Sequence, residues 1–281
     1  MGSQTKTIFL LGGLTALLVL IGSFFGRGWT YGALAFALLL NFFTYWFSDR
    51  IVLKMYRAQP VTAADSPVLY DTVRQLSQVA GLPMPKVYLY PAANPNAFAT
   101  GRDPAHAAVA VSTGLMEILS PEELKGVLGH ELAHIKDRDI LIATCAATLA
   151  AAITFLARLL QWGAGFFAGG DNRERGSNPL AMLAMVILAP LAALLIQMAV
   201  SRGREYLADD EGARFAGNPA FLANALRKLD SVGRRNPMVG ANPATSHLFI
   251  VKPFSARGLM ALFSTHPPIE ARIARLEGRI T

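Results

Sequence analysis

The sequence predicts a mainly α-helical membrane protein, in which four transmembrane helices are combined with a water-exposed α+β domain that contains a small sheet. Hydrophobic residues make up 53% of the 281 residues and charged residues only 16%, so that the mean hydropathy is positive. Four apolar stretches approach or reach the roughly 20 residues that a helix needs to cross a bilayer. A buried soluble core can explain one such stretch, whereas membrane spanning explains all four.

The four apolar stretches are arranged as two hairpins. They run over residues 7–25, 31–47, 140 to about 162, and 180–200. The third contains Arg158 near its end, where a long side chain can reach the lipid headgroups, and the fourth contains Pro190, which neighbouring helices can accommodate. The first is predicted to remain as an anchor, because residues 23–26 offer no small-x-small site for signal-peptide cleavage. In the second, Asn41 is predicted to hydrogen-bond to a neighbouring helix.

Lysine and arginine residues beside the apolar stretches indicate the orientation in the membrane, because short cytoplasmic flanks carry an excess of both. The flanks on one side contain Arg50, Lys54, Arg57, Lys136, Arg138, Arg202 and Arg204. On the other side, the loop 26–30 has one arginine, and the loop 163–177 balances two arginines against two acidic residues. Both chain termini and the hydrophilic segments are therefore predicted to be cytoplasmic.

This topology divides the chain into four parts. They are a first transmembrane hairpin at 1–48, a cytoplasmic segment at 49–138, a second transmembrane hairpin at 139–200 and a second cytoplasmic segment at 201–281. Because a hairpin brings its two ends together, the cytoplasmic segments are predicted to form one discontinuous domain close to the membrane. The formal charge of +7 fits a body that rests on anionic lipid, and no basic-aromatic motif supports nucleic-acid binding.

The cytoplasmic segments show patterns that predict a mainly helical domain with a small sheet. Residues 66–80 predict a helix that ends at Gly81, and residues 86–90, 97–100 and 108–112 predict short strands. The stretch 232–264 has repeated Gly, Pro and Asn and is predicted to be rich in loops.

The pentapeptide His130-Glu131-Leu132-Ala133-His134 indicates the chemistry of this domain. On a helix, residues four apart lie on one face, so the two imidazoles can hold one metal ion while Glu131 lies close enough to take a proton from a water molecule. This pattern is the template of zinc metalloproteases. Residues 120–123 predict the start of the helix, with a capping serine, a proline at the first position and a glutamate three residues after the cap. Two surface histidines beside a solvated glutamate are the alternative, which the spacing disfavours.

A catalytic zinc ion needs a third protein ligand and one open position for water. The other histidines are His106, His247 and His266, and the single cysteine lies in an apolar stretch, so a carboxylate is a candidate for the third ligand. Glu205 and Asp209 are four residues apart on a predicted helix, where one could bind zinc and the other could accept the free ring N–H of a ligand histidine. A solvated charged face is the alternative for these two acids.

Together these segments resemble the HtpX group of integral-membrane zinc endopeptidases, which are bacterial, heat-shock-associated relatives of the CAAX-processing membrane protease. The resemblance covers nearly the whole chain: the two apolar hairpins, Asn96-Ala97-Phe98-Ala99, the helix with His130 and His134, the segment 201–209, and Thr265-His266-Pro267-Pro268.

The resemblance implies a zincin-like protease domain at the bacterial inner membrane, with one zinc ion per chain. It implies that Glu205 is the third ligand and that Asp209 supports a ligand histidine. It also implies that the strand Asn96-Ala97-Phe98-Ala99 binds substrate, although ordinary sheet packing explains this strand equally well from the residues alone. His266 is implied to approach the active site as a hydrogen-bond donor. Without the resemblance, it is a surface histidine before a helix that starts at Pro268.

The predicted function is hydrolysis of peptide bonds in misfolded or damaged membrane proteins, as part of stress quality control, with Glu131 as the general base. A protease that cleaves within the membrane is one alternative, against which the many charges between Glu122 and Asp139 argue. A non-enzymatic scaffold or adaptor with a structural zinc ion is the other, although a closed structural site would use a fourth protein ligand. His247 is either a loop residue or a residue near the cleft.

Overall fold

The computed structural model describes residues 3–23, 26–150, 202–235, 250 and 267–278. Its helices are α1 (Ser3–Ser23), α2 (Arg27–Met55), α3 (Pro67–Ala80), α4 (Thr113–Ile118), α5 (Pro121–Lys136), α6 (Ile140–Ala150), α7 (Arg202–Ala216), α8 (Pro219–Arg235) and α9 (Ile269–Glu277). Its strands are β1 (Gln59–Pro60), β2 (Lys86–Tyr90), β3 (Ala97–Gly101) and β4 (Ala107–Ser112), and a 3-10 turn covers Pro104–His106.

Among the described residues, α2 alone is long and apolar enough to cross a membrane, while α6 and the apolar part of α1 are shorter. α2 begins at Arg27 and continues through Asp49 and Arg50 to Met55, so the helix extends past the end of the predicted span at residue 47. α1 and α2 pack together, and the Asn41 amide of α2 donates to the Leu11 carbonyl at 3.3 Å and to the Thr15 hydroxyl at 2.8 Å. The interhelical role predicted for this asparagine is therefore confirmed. The predicted span 180–200 and residues 151–162 of the third span lie outside the described residues.

The four strands form one sheet in the order β1-β2-β4-β3, so β3 is an edge strand. β2 and β4 are parallel with Val87 opposite Val109, and β3 runs antiparallel to β4 with Ala99 opposite Val109. The three strands predicted from sequence are confirmed to within one residue at each end. β1 was not predicted, because two residues that include a proline carry no strand pattern.

Both faces of the sheet are buried, each against a different set of helices. Val87, Val109 and Ala99 share a core with α3, α5 and α8. On the opposite face, Tyr90 and Phe98 pack against residues of α2 and α6, as expected because alternate residues of a strand point to opposite faces. The sheet therefore lies between α3, α5 and α8 on one face and α2 and α6, which contain residues of two predicted membrane spans, on the other.

Helix α5 lies at the centre of the domain and has the predicted start. The Ser120 hydroxyl accepts from the Glu123 N–H at 3.3 Å and the Glu123 carboxylate accepts from the Ser120 N–H at 2.8 Å, which is the capping box expected from the sequence. α5 then crosses α7 at backbone contact, because a Cβ atom added to Gly129 would lie 2.5 Å from the carbonyl oxygen of Gly212. The two glycines bring the backbones of the two helices together one residue away from His130.

We expect Gly129→Ala to separate α5 from α7 and to destabilise the domain by about 1–3 kcal/mol or more, because the added methyl group overlaps backbone that cannot rotate away. Thermal unfolding of the full-length protein in detergent, together with its zinc content, tests this. Gly278→Ala is the matched control, since a Cβ atom there would meet its nearest neighbour at 3.5 Å, an ordinary contact. Equal melting temperatures for the two variants would show that the close crossing is not needed.

Candidate metal centre

Helix α5 directs the His130 and His134 rings at a common point. Their Nε2 atoms are 3.2 Å apart, and the ring planes are nearly perpendicular with centroids 4.7 Å apart. Glu205, in the first turn of α7, places one carboxylate oxygen 3.8 Å from His130 Nε2 and the other 3.6 Å from His134 Nε2. Within the ranges that the structure describes, these three residues form the group whose ligand atoms lie close enough to share a metal ion.

The distances between these donor atoms fit a tetrahedral zinc ion. Zinc ligands at about 2.0–2.2 Å from the ion are separated from one another by about 3.3–3.5 Å, close to the observed separations. Two Nε2 lone pairs that face each other at 3.2 Å would repel unless a proton or a metal ion lies between them. Within the described residues the group supplies three ligands, which would leave a fourth position for water, as in catalytic zinc sites.

The charges around the histidines also fit a divalent cation. The carboxylates of Glu131, Asp139, Glu205 and Asp209 are all buried, and each is close to one of the two imidazoles. Two guanidinium groups, those of Arg204 and Arg272, pair with Asp139 and Asp209. Among the described residues, and with both imidazoles neutral as in a metal-bound site, four buried carboxylates and two paired guanidinium groups carry a net charge of −2, which an ion such as Zn²⁺ would neutralise.

The pKa of His134 is raised by the negative charges around it. Burial alone would lower this pKa, but the hydrogen bond to Asp139 and the charges of Glu205 and Glu131 together raise it to about 9. The pKa of His130 is lowered to about 4, chiefly by burial. A field that favours a proton on His134 favours a metal ion at the same nitrogen, because both are cations.

The buried ion pair of Asp209 and Arg272 contacts the Nδ1 side of the His130 ring. Asp209, one helical turn after Glu205 on α7, lies with its Oδ1 atom 2.9 Å from His130 Nδ1. The Arg272 guanidinium of α9 donates to both oxygens of Asp209, at 2.6 and 2.8 Å, and also to the Ile250 carbonyl at 3.1 Å. Although burial would raise the pKa of Asp209, Arg272 and the hydrogen bond from His130 hold it below its usual range. As a carboxylate, Asp209 accepts a hydrogen bond from the Nδ1–H group of His130, and so leaves Nε2 free to bind metal.

Glu131 is buried beside the edge strand. Its Oε2 atom accepts a hydrogen bond from the Ala99 N–H of β3 at 2.8 Å. Of the other residues in the predicted substrate strand, Phe98 packs against Tyr56 and Tyr90 on the far face of the sheet, with ring centroids 5.0 and 5.8 Å away. Asn96 accepts a hydrogen bond from the Ile250 N–H at 3.0 Å. The backbone of β3 thus lies beside Glu131, while the Phe98 side chain takes part in ordinary sheet packing.

Three residues at this centre were missed by the sequence reasoning. Asp139 lies next to His134, and Arg204 binds Asp139 at 2.7 Å. Arg272 is fully buried, although the sequence places it simply on a charged helix. The feature of the sequence that could have indicated this burial is the position of Arg272 four residues before Leu276, on the apolar face of α9. His266 and His247 lie outside the described residues, as does most of the predicted loop region 232–264.

Comparison with known proteins identifies the family. The model of peptidase family M48 matches residues 63–280, which include the whole candidate centre. The chain belongs to peptidase family M48. Family membership, together with the close relatives below, confirms the predicted enzyme class, a metalloendopeptidase, and the resemblance to the HtpX group.

Proteins named Protease HtpX homolog resemble this chain over its full length. That of Syntrophobacter fumaroxidans is 55% identical over 282 residues, which cover 98% of this chain and 99% of that protein. That of Desulfatibacillum aliphaticivorans is 56% identical over 283 residues, which cover 99% of this chain and 90% of that protein. Membrane association, predicted from composition, agrees with these relatives and with the apolar helix α2.

The crystal structure of S. mikatae Ste24p has a similar fold. Its TM-score is 0.50 at 17% sequence identity, and the match covers 98% of this chain and 65% of that protein. The chain therefore spans less than two thirds of the length of this structural neighbour. The likeness supports a family M48 fold that is mainly helical with a small sheet, as predicted.

Proposed function

We propose that the chain is a zinc endopeptidase of the bacterial inner membrane that hydrolyses peptide bonds in misfolded or damaged membrane proteins. The observation that carries this proposal is the convergence of His130, His134 and Glu205 from two helices, with the buried Glu131 carboxylate beside them. One zinc ion per chain would be held by these three ligands. A zinc ion held there would lower the pKa of a water molecule and would polarise the scissile carbonyl group.

Glu131 is the proposed general base. The Ala99 N–H fixes its Oε2 atom at 2.8 Å, which holds the carboxylate between the edge strand and the ligand histidines. In this position Glu131 can accept a proton from the attacking water and pass it to the leaving amine. Asp209 and Arg272 keep His130 oriented throughout, since both are buried and bonded to each other in two places.

Strand β3 is the proposed substrate-binding element. As an edge strand it can pair with an extended polypeptide at Ala97, which faces away from β4 as Ala99 does, while the Ala99 N–H stays bonded to Glu131. The bound polypeptide would then lie next to Glu131. Backbone pairing of this kind does not depend on substrate side chains, which suits an enzyme that acts on unfolded polypeptides. His266 is proposed as a hydrogen-bond donor to the developing oxyanion, and Pro267 after it favours an extended backbone there.

The proposed architecture is one cytoplasmic protease domain made from residues 49–138 and 201–281, joined to transmembrane hairpins at 1–48 and 139–200. Three observations support this architecture. α5 and α7 pack side by side although they are distant in sequence. α6 begins four residues after α5 ends, so the centre is close to the start of the third predicted span. Arg102 lies 4.8 Å from the ring centroid of Trp46 on α2, next to the end of the second predicted span at residue 47.

The alternatives are less consistent with this centre. A protease with its motif inside the bilayer would have to place the charged α5 residues Glu122, Lys125 and Lys136 in hydrocarbon. A scaffold with a structural zinc ion would be expected to close the site with a fourth ligand and would have no use for a buried Glu131.

Cysteine labelling in intact cells tests the orientation. We expect cysteines at positions 28 and 169 to react with a membrane-impermeant reagent from the periplasm, whereas cysteines at 79 and 281 should react only after the membrane is permeabilised. The basis is the excess of lysine and arginine on the flanks predicted to be cytoplasmic. The background variant carries Cys145→Ser, which removes the single natural cysteine. Periplasmic labelling of position 79 would place the protease domain on the opposite side.

Metal removal tests the activity. We expect purified full-length protein in detergent to cleave an unfolded polypeptide such as casein, to lose this activity after treatment with a chelator, and to regain it with one equivalent of zinc per chain. A sample dialysed in the same way without chelator is the control for inactivation by handling. Cleavage that persists after complete removal of metal would contradict a zinc endopeptidase.

A further inference from the structure

His134, the second proposed ligand histidine, also has a carboxylate next to its Nδ1 atom. The Nδ1 atom of His134 lies 3.4 Å from Oδ2 of Asp139, at the long end of hydrogen-bond distances. The other oxygen of Asp139 accepts from the Arg204 guanidinium at 2.7 Å. The chain His134–Asp139–Arg204 thus repeats, at the second ligand, the arrangement His130–Asp209–Arg272 at the first.

The turn after α5 brings Asp139 to this position. Arg138 adopts a left-handed conformation with φ 58°, its N–H donates to the Ile135 carbonyl at 3.1 Å, and the Asp139 N–H donates to the His134 carbonyl at 2.9 Å. This is a Schellman ending, which most often has glycine in the left-handed position. Because an L-residue occupies that position at a cost, the turn is held by its surroundings, and it returns the Asp139 side chain to the His134 ring.

The partner of Asp139 comes from the far end of the second predicted hairpin. Asp139 directly precedes α6, whereas Arg204 lies 65 residues later in the first turn of α7 and directly precedes the ligand Glu205. The side chains of the pair are only 9% and 19% exposed, so water screens their attraction less than on the surface. This ion pair therefore joins the two ends of the segment at the metal centre itself.

We propose that Asp139 is a positioning residue for the metal ligand His134 and that Arg204 holds Asp139 in place, so that a high-affinity metal site requires the two ends of the second hairpin to lie together. The proposal rests on the proposed function, because it takes His134 to be a metal ligand. Its physical basis is that a ligand histidine needs an acceptor at Nδ1 to keep the ring oriented with Nε2 toward the metal. Arg204 fixes the Asp139 carboxylate in place and partly neutralises its negative charge, which lies close to that of Glu205.

The test measures zinc affinity of the full-length protein in detergent, by competition with a chromophoric chelator. We expect Asp139→Asn to weaken zinc binding by about 10–100-fold, and Arg204→Gln by about tenfold. The double variant should bind zinc no more weakly than Asp139→Asn alone, because Arg204 acts through Asp139. Arg204→Lys should recover part of the loss. The matched control is Arg202→Gln, since Arg202 is exposed and lies two residues before Arg204 on the same helix.

The absorption spectrum of the cobalt(II)-substituted protein gives a second readout, because its d–d bands report ligand geometry rather than stability. We expect these bands to shift in Asp139→Asn and Arg204→Gln and to be unchanged in Arg202→Gln. If the wild type binds zinc and the first two variants match it in both affinity and spectrum, the positioning role is overturned while the proposed function stands. Fully additive losses in the double variant would overturn action through Asp139. A wild-type chain that binds no zinc would overturn the proposed function, and the positioning role with it.

Discussion

Glu131→Gln is expected to remove nearly all peptide hydrolysis while the fold and the zinc content stay at wild-type values. The amide oxygen can still accept the Ala99 N–H, which now donates to Glu131 at 2.8 Å, so the side chain should remain in place. An amide cannot take a proton from water, and loss of a general base lowers turnover by roughly 10²–10⁴-fold. Casein cleavage and zinc analysis on the same purified sample measure both quantities.

Glu122→Gln is the control for this variant, since Glu122 is an exposed glutamate on the same helix. It should cleave casein at the wild-type rate. Comparable turnover in Glu131→Gln and the wild type would exclude Glu131 as the base. Loss of zinc together with activity in Glu131→Gln would instead assign Glu131 to metal binding.

Glu205→Gln is expected to abolish stoichiometric zinc binding and, with it, activity. The substitution replaces a charged oxygen ligand by a neutral amide and removes one of the four buried negative charges that a divalent ion offsets. Asp209→Asn, which leaves the three ligands intact, should weaken zinc binding by about 10–100-fold only. Chelator competition on the purified variants measures the difference.

Asp210→Asn is the matched control for both acids. Asp210 follows Asp209 on α7 but pairs with Arg275 at 2.8 Å, on the outside of the domain. Zinc affinity in this variant should equal that of the wild type. Full zinc occupancy in Glu205→Gln would mean that another residue is the third ligand, and His266 would then be the first to test.

Local patterns in the sequence were sufficient to predict the elements that carry the ligands. The capping residues at 120–123 mark the start of α5, and the spacing of His130 and His134 places both rings on one face. The four-residue spacing of Glu205 and Asp209 likewise predicted two carboxylates on one helix face, and the structure brings both to His130. Such patterns are readable because they involve residues within about one helical turn.

The supporting residues could not be predicted, because their contacts join distant parts of the chain. Asp139 reaches His134 through a left-handed Arg138, and no glycine marks that turn in the sequence. Arg204 and Arg272 appear in the sequence as members of charged helices. Arg204 becomes half-buried because α7 packs against α5, and Arg272 becomes buried because α9 packs against α7 and α8. The close crossing at Gly129 and Gly212 is equally a property of the packed helices.

Anomalous diffraction from crystals of the zinc-loaded protein would show directly whether His130, His134 and Glu205 bind the metal ion. An anomalous difference map calculated above and below the zinc absorption edge locates the metal without assumptions about its ligands. We expect a single peak per chain, about 2.0–2.2 Å from His130 Nε2, His134 Nε2 and a Glu205 carboxylate oxygen. A peak elsewhere on the chain, or an ion enclosed by four protein ligands with no position for water, would contradict this expectation.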